Sequence, residues 1–326
     1  MIQCSTARQK PVQCCKILLR KRKYRNENTE KKKEAGADPA PAQGRKTALM
    51  KTETIEEIIL QQSHRGMDLL QSELQPDFCR EAAKKIYELP RGPILLTTGF
   101  YVAGHGESDG PAGTACLAQA LVKLGFLPRI ITDEVCRSFF EPLELAVEYW
   151  PMGHTPNIKD LARLSPVGIL SIERCGRNDE GKYANMRGVD ISENTAPLDE
   201  FFHLAAERGV FTLGVGDGGN EIGMGNVADA VRQKLSLNPC VVKVDRLVLA
   251  SVSNWGAYGL TACLGVLAGR DLLPSPGWLQ ENLQRWADMG CVDGVNRLAE
   301  PTVDGYPLGV ENQVFEQIRA WGLAQL

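Results

Sequence analysis

Hydrophobic positions between residues 49 and 326 fall into two alternating kinds of run. Short apolar stretches recur at Pro93-Ile-Leu-Leu-Thr-Thr98, Arg129-Ile-Ile-Thr-Asp133, Val167-Gly-Ile-Leu-Ser-Ile172, Val210-Phe-Thr-Leu-Gly-Val215 and Arg246-Leu-Val-Leu-Ala-Ser251. Each has the length and composition of a buried strand. Between them the apolar period changes to that of a helix. Leu117, Leu121 and Leu124 follow Pro111 and stop at Gly125, with proline near the start and glycine at the end of the predicted helix. Further helices are predicted over 49–62, 77–89, from Thr155-Pro156 to Leu164, over 197–208 ahead of Gly209, 257–268, around Trp278, Leu279, Leu283 and Trp286 after Ser275-Pro276, and over 310–321. A last helical pattern puts Val227, Val231 and Leu235 on one face. Apolar strands alternating with helices imply an α/β fold: a doubly wound, mainly parallel sheet with helices on both faces. No internal repeat is present.

Sheets of this kind bind ligands beyond the carboxyl ends of their strands. The predicted strand ends are the chemically rich parts of the chain. The first runs into Gly99-Phe-Tyr-Val-Ala-Gly-His-Gly-Glu-Ser-Asp-Gly-Pro-Ala-Gly113, the second ends at Asp133-Glu134, and the third leads to Glu173-Arg-Cys-Gly-Arg-Asn-Asp-Glu-Gly-Lys-Tyr-Ala-Asn-Met-Arg-Gly188. The fourth enters Leu213-Gly-Val-Gly-Asp-Gly-Gly-Asn-Glu-Ile-Gly-Met-Gly-Asn226, with five glycines in ten residues, and the fifth ends in Ser251-Val-Ser-Asn-Trp-Gly-Ala-Tyr-Gly259. Surface turns alone would enrich both edges of the sheet, so this asymmetry points to one shared site. A glycine-rich turn between strand and helix offers backbone N–H groups to a small anion. Its spacing matches neither a phosphate loop nor a clean dinucleotide fingerprint.

Composition narrows the setting. The chain has 326 residues, and no apolar run reaches the roughly 18 needed to cross a membrane. Ten cysteines without C-x-x-C pairs fit reduced thiols, not a disulfide framework. Residues 1–33 hold eleven Lys/Arg against Glu27 and Glu30, net +9, which leaves −12 for residues 34–326 out of a total of −3. This arm could bind nucleic acid, direct nuclear import or serve as an organelle leader, since no acid precedes Glu27; a solvated disordered arm is the simplest reading. With the Ala/Pro/Gly-rich linker it makes a segment 1–48 ahead of a folded domain 49–326. A nucleic-acid partner is not expected.

The segments 97–113, Glu173-Arg-Cys-Gly176, 214–226 and Ser253-Asn-Trp-Gly256 resemble the C-terminal catalytic domain of the D-glutamate cyclase family. The resemblance covers roughly residues 50–326. It implies a lyase that closes D-glutamate to 5-oxo-D-proline with loss of water, in the mitochondrial matrix, or in the cytoplasm if the basic arm is not a leader. Family members in animals carry a larger hydro-lyase-like domain first, where this chain has a basic, low-complexity stretch about 50 residues long.

That reaction needs two carboxylates held, an ammonium deprotonated, a tetrahedral oxyanion stabilised and a departing oxygen protonated. For acid–base work the candidates are Asp109, Asp217, Glu221 and His105, with helix N-capping as the alternative role for the two aspartates. For substrate binding they are Gly99, Gly104, Gly106, Ser108, Gly110, Gly216, Gly218, Gly219, Asn220, Asn254 and Trp255, with Arg174, Arg177, Arg187 and Lys182 as cationic clamps. Tyr258 could share a pocket wall with Asn254 and Trp255, and Asp293, Arg297 and Asp304 lie in a late loop able to close over the site. Cys116 and Cys175 are conceivable thiol nucleophiles without a sequence-evident His partner. No cofactor is required. Oxygen ligands from Asp109, Asp217, Asn220, Glu221 and Asn226 would suit Mg²⁺ or Mn²⁺ as a Lewis acid, though no spacing specifies a metal. Other readings remain: a phosphate- or nucleotide-ligand enzyme, or a non-catalytic ligand-binding form.

Overall fold

Six strands form one parallel sheet: β1 Pro93–Gly99, β2 Leu127–Thr132, β3 Val147–Tyr149, β4 Gly168–Arg174, β5 Phe211–Gly216 and β6 Arg246–Leu249. Their order across the sheet is β3-β2-β1-β4-β5-β6. The structure is a computed structural model and describes residues 53–326, so the arm 1–48 and the first turn of the helix predicted over 49–62 lie outside the described residues. The eight longer helices are α1 Ile55–Ile59, α2 Phe78–Glu88, α3 Pro111–Lys123, α4 Ile158–Leu164, α5 Glu200–Arg208, α6 Ser253–Ala268, α7 Trp278–Asp288 and α8 Leu308–Leu323. No helix among the described residues is long and apolar enough to cross a membrane.

Why the sheet is central can be read from β4. All seven of its residues are buried, which requires cover on both faces. On one side α6 packs against α2, α3 and α8; elsewhere α5 packs on β4 and β5. The α3–α6 approach is close because position 113 is glycine. A Cβ there would stand 2.7 Å from Ala257 Cβ and 3.0 Å from Asn254 Cα. This contact sets the N-terminus of α6 beside the start of α3.

The doubly wound expectation holds, with differences at particular elements. Edge strand β3 was not anticipated, because Val147-Glu-Tyr149 is too short to show alternation. The helix expected through Val227, Val231 and Leu235 is a 3₁₀ turn, one α-turn and a π-turn, Val231–Leu235. Helix α6 starts at Ser253, four residues before its predicted start. Two short antiparallel hairpins, Tyr101–Val102 with His105–Gly106 and Thr302–Val303 with Tyr306–Pro307, pair separately from the six-stranded sheet.

Candidate active site

The chain reverses its direction of winding between neighbours β1 and β4, the point at which such sheets open a crevice. The loop after β1 brings Glu107 and Asp109, the end of β4 brings Glu173, and the loop after β5 brings Asp217 and Glu221. The late hairpin turn adds Asp304, and the turn after α1 adds Arg65. The first turn of α6 organises the interior of this group. Val252 supplies no side-chain cap, so the free N–H groups are satisfied from other loops. Ser253 N donates to Asp109 Oδ2 at 2.9 Å and Asp217 Oδ2 at 3.0 Å, and Asn254 N donates to Asp109 Oδ1 at 2.9 Å. Ser253 Oγ donates to Glu173 Oε2 at 2.6 Å. Opposite, Arg65 Nη1 reaches Asp217 Oδ1 at 2.5 Å while Nη2 pairs with Asp304.

Six carboxyl groups thus surround one guanidinium, an excess of charge that a buried site cannot hold fully ionised. The protonation pattern follows. Burial pushes the Glu107 carboxyl up to about 8, reinforced by Asp304 and opposed by Arg65. Burial likewise holds Asp109, Glu173, Asp217 and Asp304 well above the ordinary range, with neighbouring carboxylates adding to it. Glu221 is raised by burial too, but its oxygens accept from Gly218 N at 3.0 Å and Gly219 N at 2.9 Å, which pulls it back toward the anion. Burial opposes charge on Arg65, yet Asp217 and Asp304 keep it protonated. Three of these carboxyl groups, Glu107, Glu173 and Glu221, face a pocket.

That pocket has a volume of about 250 Å³. Glu107, Glu173, Glu221 and Arg65 make its charged floor; Phe100, Tyr101, Val102 and Met186 give an apolar wall; Arg187 and Arg297 line it as well. Three residues around it, Ala103, Glu173 and Arg297, and the adjoining Asp304, hold positive φ without being glycine, four of the eight such residues described. Concentration of strained backbone in one place is a mark of functional sites.

Of the residues singled out from sequence, Glu221, Asn220, Arg187 and Arg297 line this pocket. Others are committed elsewhere. Asp109 and Asp217 cap α6, a helix from a different part of the chain, and do not line the pocket. The N–H groups of Gly218 and Gly219 were expected to hold a substrate anion; they hold the carboxylate of Glu221 instead. Gly216 is excluded from side-chain growth by that same carboxylate, 2.8 Å from a Cβ placed there. Arg174 is fully buried and clamps Asp133, Gly99 O and Ala196 O, so it is no substrate clamp. Arg177 is paired with Asp199 and Glu200, and Lys182 with Glu180. Ser108 Oγ donates to Thr302 O, and Asn254 Oδ1 accepts from Gly110 N and Gly113 N. Trp255 Nε1 donates to buried Glu311, and Tyr258 packs edge-on against Phe315. Gly99, Gly104, Gly106 and Gly110 shape turns and packing and are absent from the pocket lining. His105 is exposed in its hairpin and also lies off the pocket. Burial pushes the Cys116 thiol up to about 12 and raises the Cys175 thiol as well, the wrong direction for a nucleophile.

Arg65, Glu107 and Glu173 were missed. Arg65 sits in a short polar turn with no motif around it. Glu107 was visible in the first loop, but its role needs Gly294: a Cβ at 294 would lie 1.8 Å from Glu107 Oε1, so the carboxyl rests against bare backbone. Oxygens of Asp109, Asp217 and Asp304, and of Glu173, Asp217 and Glu221, lie within 4.8 Å of one another. Both sets offer the hard oxygen ligands that suit Mg²⁺ or Mn²⁺; such an ion would act as a Lewis acid. Arg65 already supplies a cation to Asp217 and Asp304. Asn226 bonds Val244 and belongs to neither set.

A sequence profile described as D-glutamate cyclase-like, C-terminal, matches residues 55–319. Human mitochondrial D-glutamate cyclase is 44% identical over 202 residues, which cover 53% of this chain and 33% of that protein. The aligned part thus spans about a third of that relative's length. Among solved structures, a variant of actinorhodin polyketide ketoreductase with NADPH aligns at 14% identity with a TM-score of 0.25, covering 71% of this chain and 90% of that one.

Proposed function

The chain belongs to the D-glutamate cyclase-like family, and from that premise we propose that its pocket closes D-glutamate to 5-oxo-D-proline with release of water. The observation that carries this reading is the cluster of buried carboxyl groups, Glu107, Glu173 and Glu221, that lines the pocket together with Arg65. In the reaction the α-nitrogen forms a bond to the carbon of the γ-carboxylate, and the bond from that carbon to one of its oxygens breaks. Two of the three ammonium protons must end on that oxygen, and none is gained or lost overall. Glu107, Glu173 and Glu221 attract the ammonium and can accept and return those protons. Glu221, held anionic by two N–H groups, suits the base; Glu107, with no hydrogen bond to its carboxyl among the described residues, suits the acid. Arg65, which lines the same pocket, would hold the γ-carboxylate and the oxyanion that forms from it.

The same features weigh against a nucleotide or phosphate ligand. The pocket falls below the roughly 300 Å³ at which sites for drug-sized ligands begin. Its floor would face a phosphate with carboxyl groups. The relative's mitochondrial name supports placement in the matrix for this chain too.

The test is turnover of D-glutamate by the purified chain, with 5-oxo-D-proline followed by chiral chromatography. Glu221→Gln should lower kcat by about 10²–10⁴ without unfolding the protein. Tight D-glutamate binding with no product would favour the non-catalytic reading. ATP or NAD binding that D-glutamate does not displace would favour a nucleotide enzyme.

A further inference from the structure

Arg297 combines three features that its neighbours do not share. It lines the pocket, its side chain has no hydrogen bond or ion pair among the described residues, and its backbone is held at φ +62°. A left-handed conformation is one that glycine adopts freely and arginine does not. The turn that imposes it is fixed at both ends. Arg297 N donates to Asp293 O at 2.9 Å, while Asp293 N donates to Leu298 O at 3.1 Å. The buried Asp293 carboxylate accepts from Val295 N at 2.7 Å, Asn296 N at 3.0 Å and, across to the next hairpin, Gly305 N at 2.7 Å. A second cation joins this turn: Arg187 Nη2 donates to Val295 O at 3.4 Å from the loop after β4. A strained arginine at the edge of a pocket, its exposed side chain without a partner among the described residues, is available to a ligand.

The ligand group follows from charge. The carboxyl floor takes a cation and Arg65 takes the reacting carboxylate, so one further anionic group of a glutamate substrate is left for this edge. We propose that Arg297, supported by Arg187, is the specificity-determining residue that binds the α-carboxylate, the group that does not react. The assignment rests on the cyclase reading. It makes the site selective for amino acids with a carboxylate on the amine-bearing carbon, and it predicts rejection of 4-aminobutyrate, which has the same amine-to-carboxylate reach but lacks that group.

The experiment measures D-glutamate and 4-aminobutyrate side by side, by isothermal titration and by turnover, on the wild type, Arg297→Gly and Arg297→Lys. Wild type should prefer D-glutamate. Arg297→Gly should raise KM for D-glutamate about tenfold to a hundredfold with kcat little changed, and leave 4-aminobutyrate unaffected. Because glycine suits this φ, its Tm should hold or rise, which a structural role for the arginine would not allow. Arg297→Lys keeps the charge without the fork and should fall between. Equal affinity of the wild type for the two compounds, or unchanged discrimination in Arg297→Gly, overturns the proposal. Discrimination in binding without any 5-oxoproline would sink the cyclase reading and leave the role of Arg297 standing.

Discussion

Arg65→Met is the substitution that tests the electrostatic account of the site most directly. The guanidinium bridges Asp217, whose side chain is fully buried, and Asp304, whose side chain is 2% exposed; its own side chain is 16% exposed. Methionine keeps much of the volume and removes the charge. Taking one partner from a buried ion pair costs about 3–5 kcal/mol, because the remaining charge is left uncompensated. The loss should depend on pH, with a sign that the geometry dictates. Burial already holds both aspartates above their ordinary value, and without Arg65 they rise further. A carboxyl whose folded-state pKa lies above its unfolded one gives stability that declines as pH climbs from the unfolded value through the folded one. The variant should therefore be most impaired near pH 8 and recover toward pH 4 to 5. Each carboxyl changes the slope by at most about 1.4 kcal/mol per pH unit. Urea unfolding of both proteins at pH 5 and pH 8 reads this out, with Arg65→Lys as a partial rescue that keeps the charge but not the bridge. A deficit below about 1 kcal/mol, or one equal at the two pH values, would refute the role of Arg65 as counter-ion.

Two other substitutions probe the surroundings. Glu311 accepts from Trp255 Nε1 with one oxygen, the other has no partner among the described residues, and burial holds its pKa well above 4.5. Above the unfolded value, folding therefore favours the protonated carboxyl at a cost that grows with pH. Glu311→Gln should stabilise the protein by about 1–3 kcal/mol at pH 7 in a urea titration and by almost nothing at pH 4.5; a loss at both would mean that Glu311 is ionised and paired. Gly294→Ala puts a methyl group onto Glu107 Oε1, so turnover should drop at least about tenfold with about 1–3 kcal/mol of stability lost. Adding Glu107→Asp, one methylene shorter, should restore part of that stability, and failure to do so would place the clash elsewhere.

How far the sequence reaches differs between the fold and the site. The five longer strands and most helices were legible because each is an uninterrupted apolar run or a clear helical period bounded by proline or glycine. Edge strand β3 was not, since three half-buried residues carry no period. The site was legible as a set of loops but not as a set of roles. Aspartate in a glycine loop looks the same whether it meets substrate or caps a helix, and Asp109 and Asp217 cap a helix more than 30 residues further along the chain. Glycine N–H groups look available until Glu221, only two and three positions later, is found to have taken them. Arg65 could not be found at all, because nothing local distinguishes it; its meaning comes from Asp217 and Asp304, far away in the chain.

The pairing of Arg65 with Asp304 sets an order on how the molecule comes to work. These residues stand 239 positions apart, and β1 through β6 all lie between them. During synthesis at the ribosome, all six strands and the carboxyl groups of the other loops therefore emerge before Asp304. The counter-charge of Arg65 is complete only once residue 304 has been made and has folded back onto it.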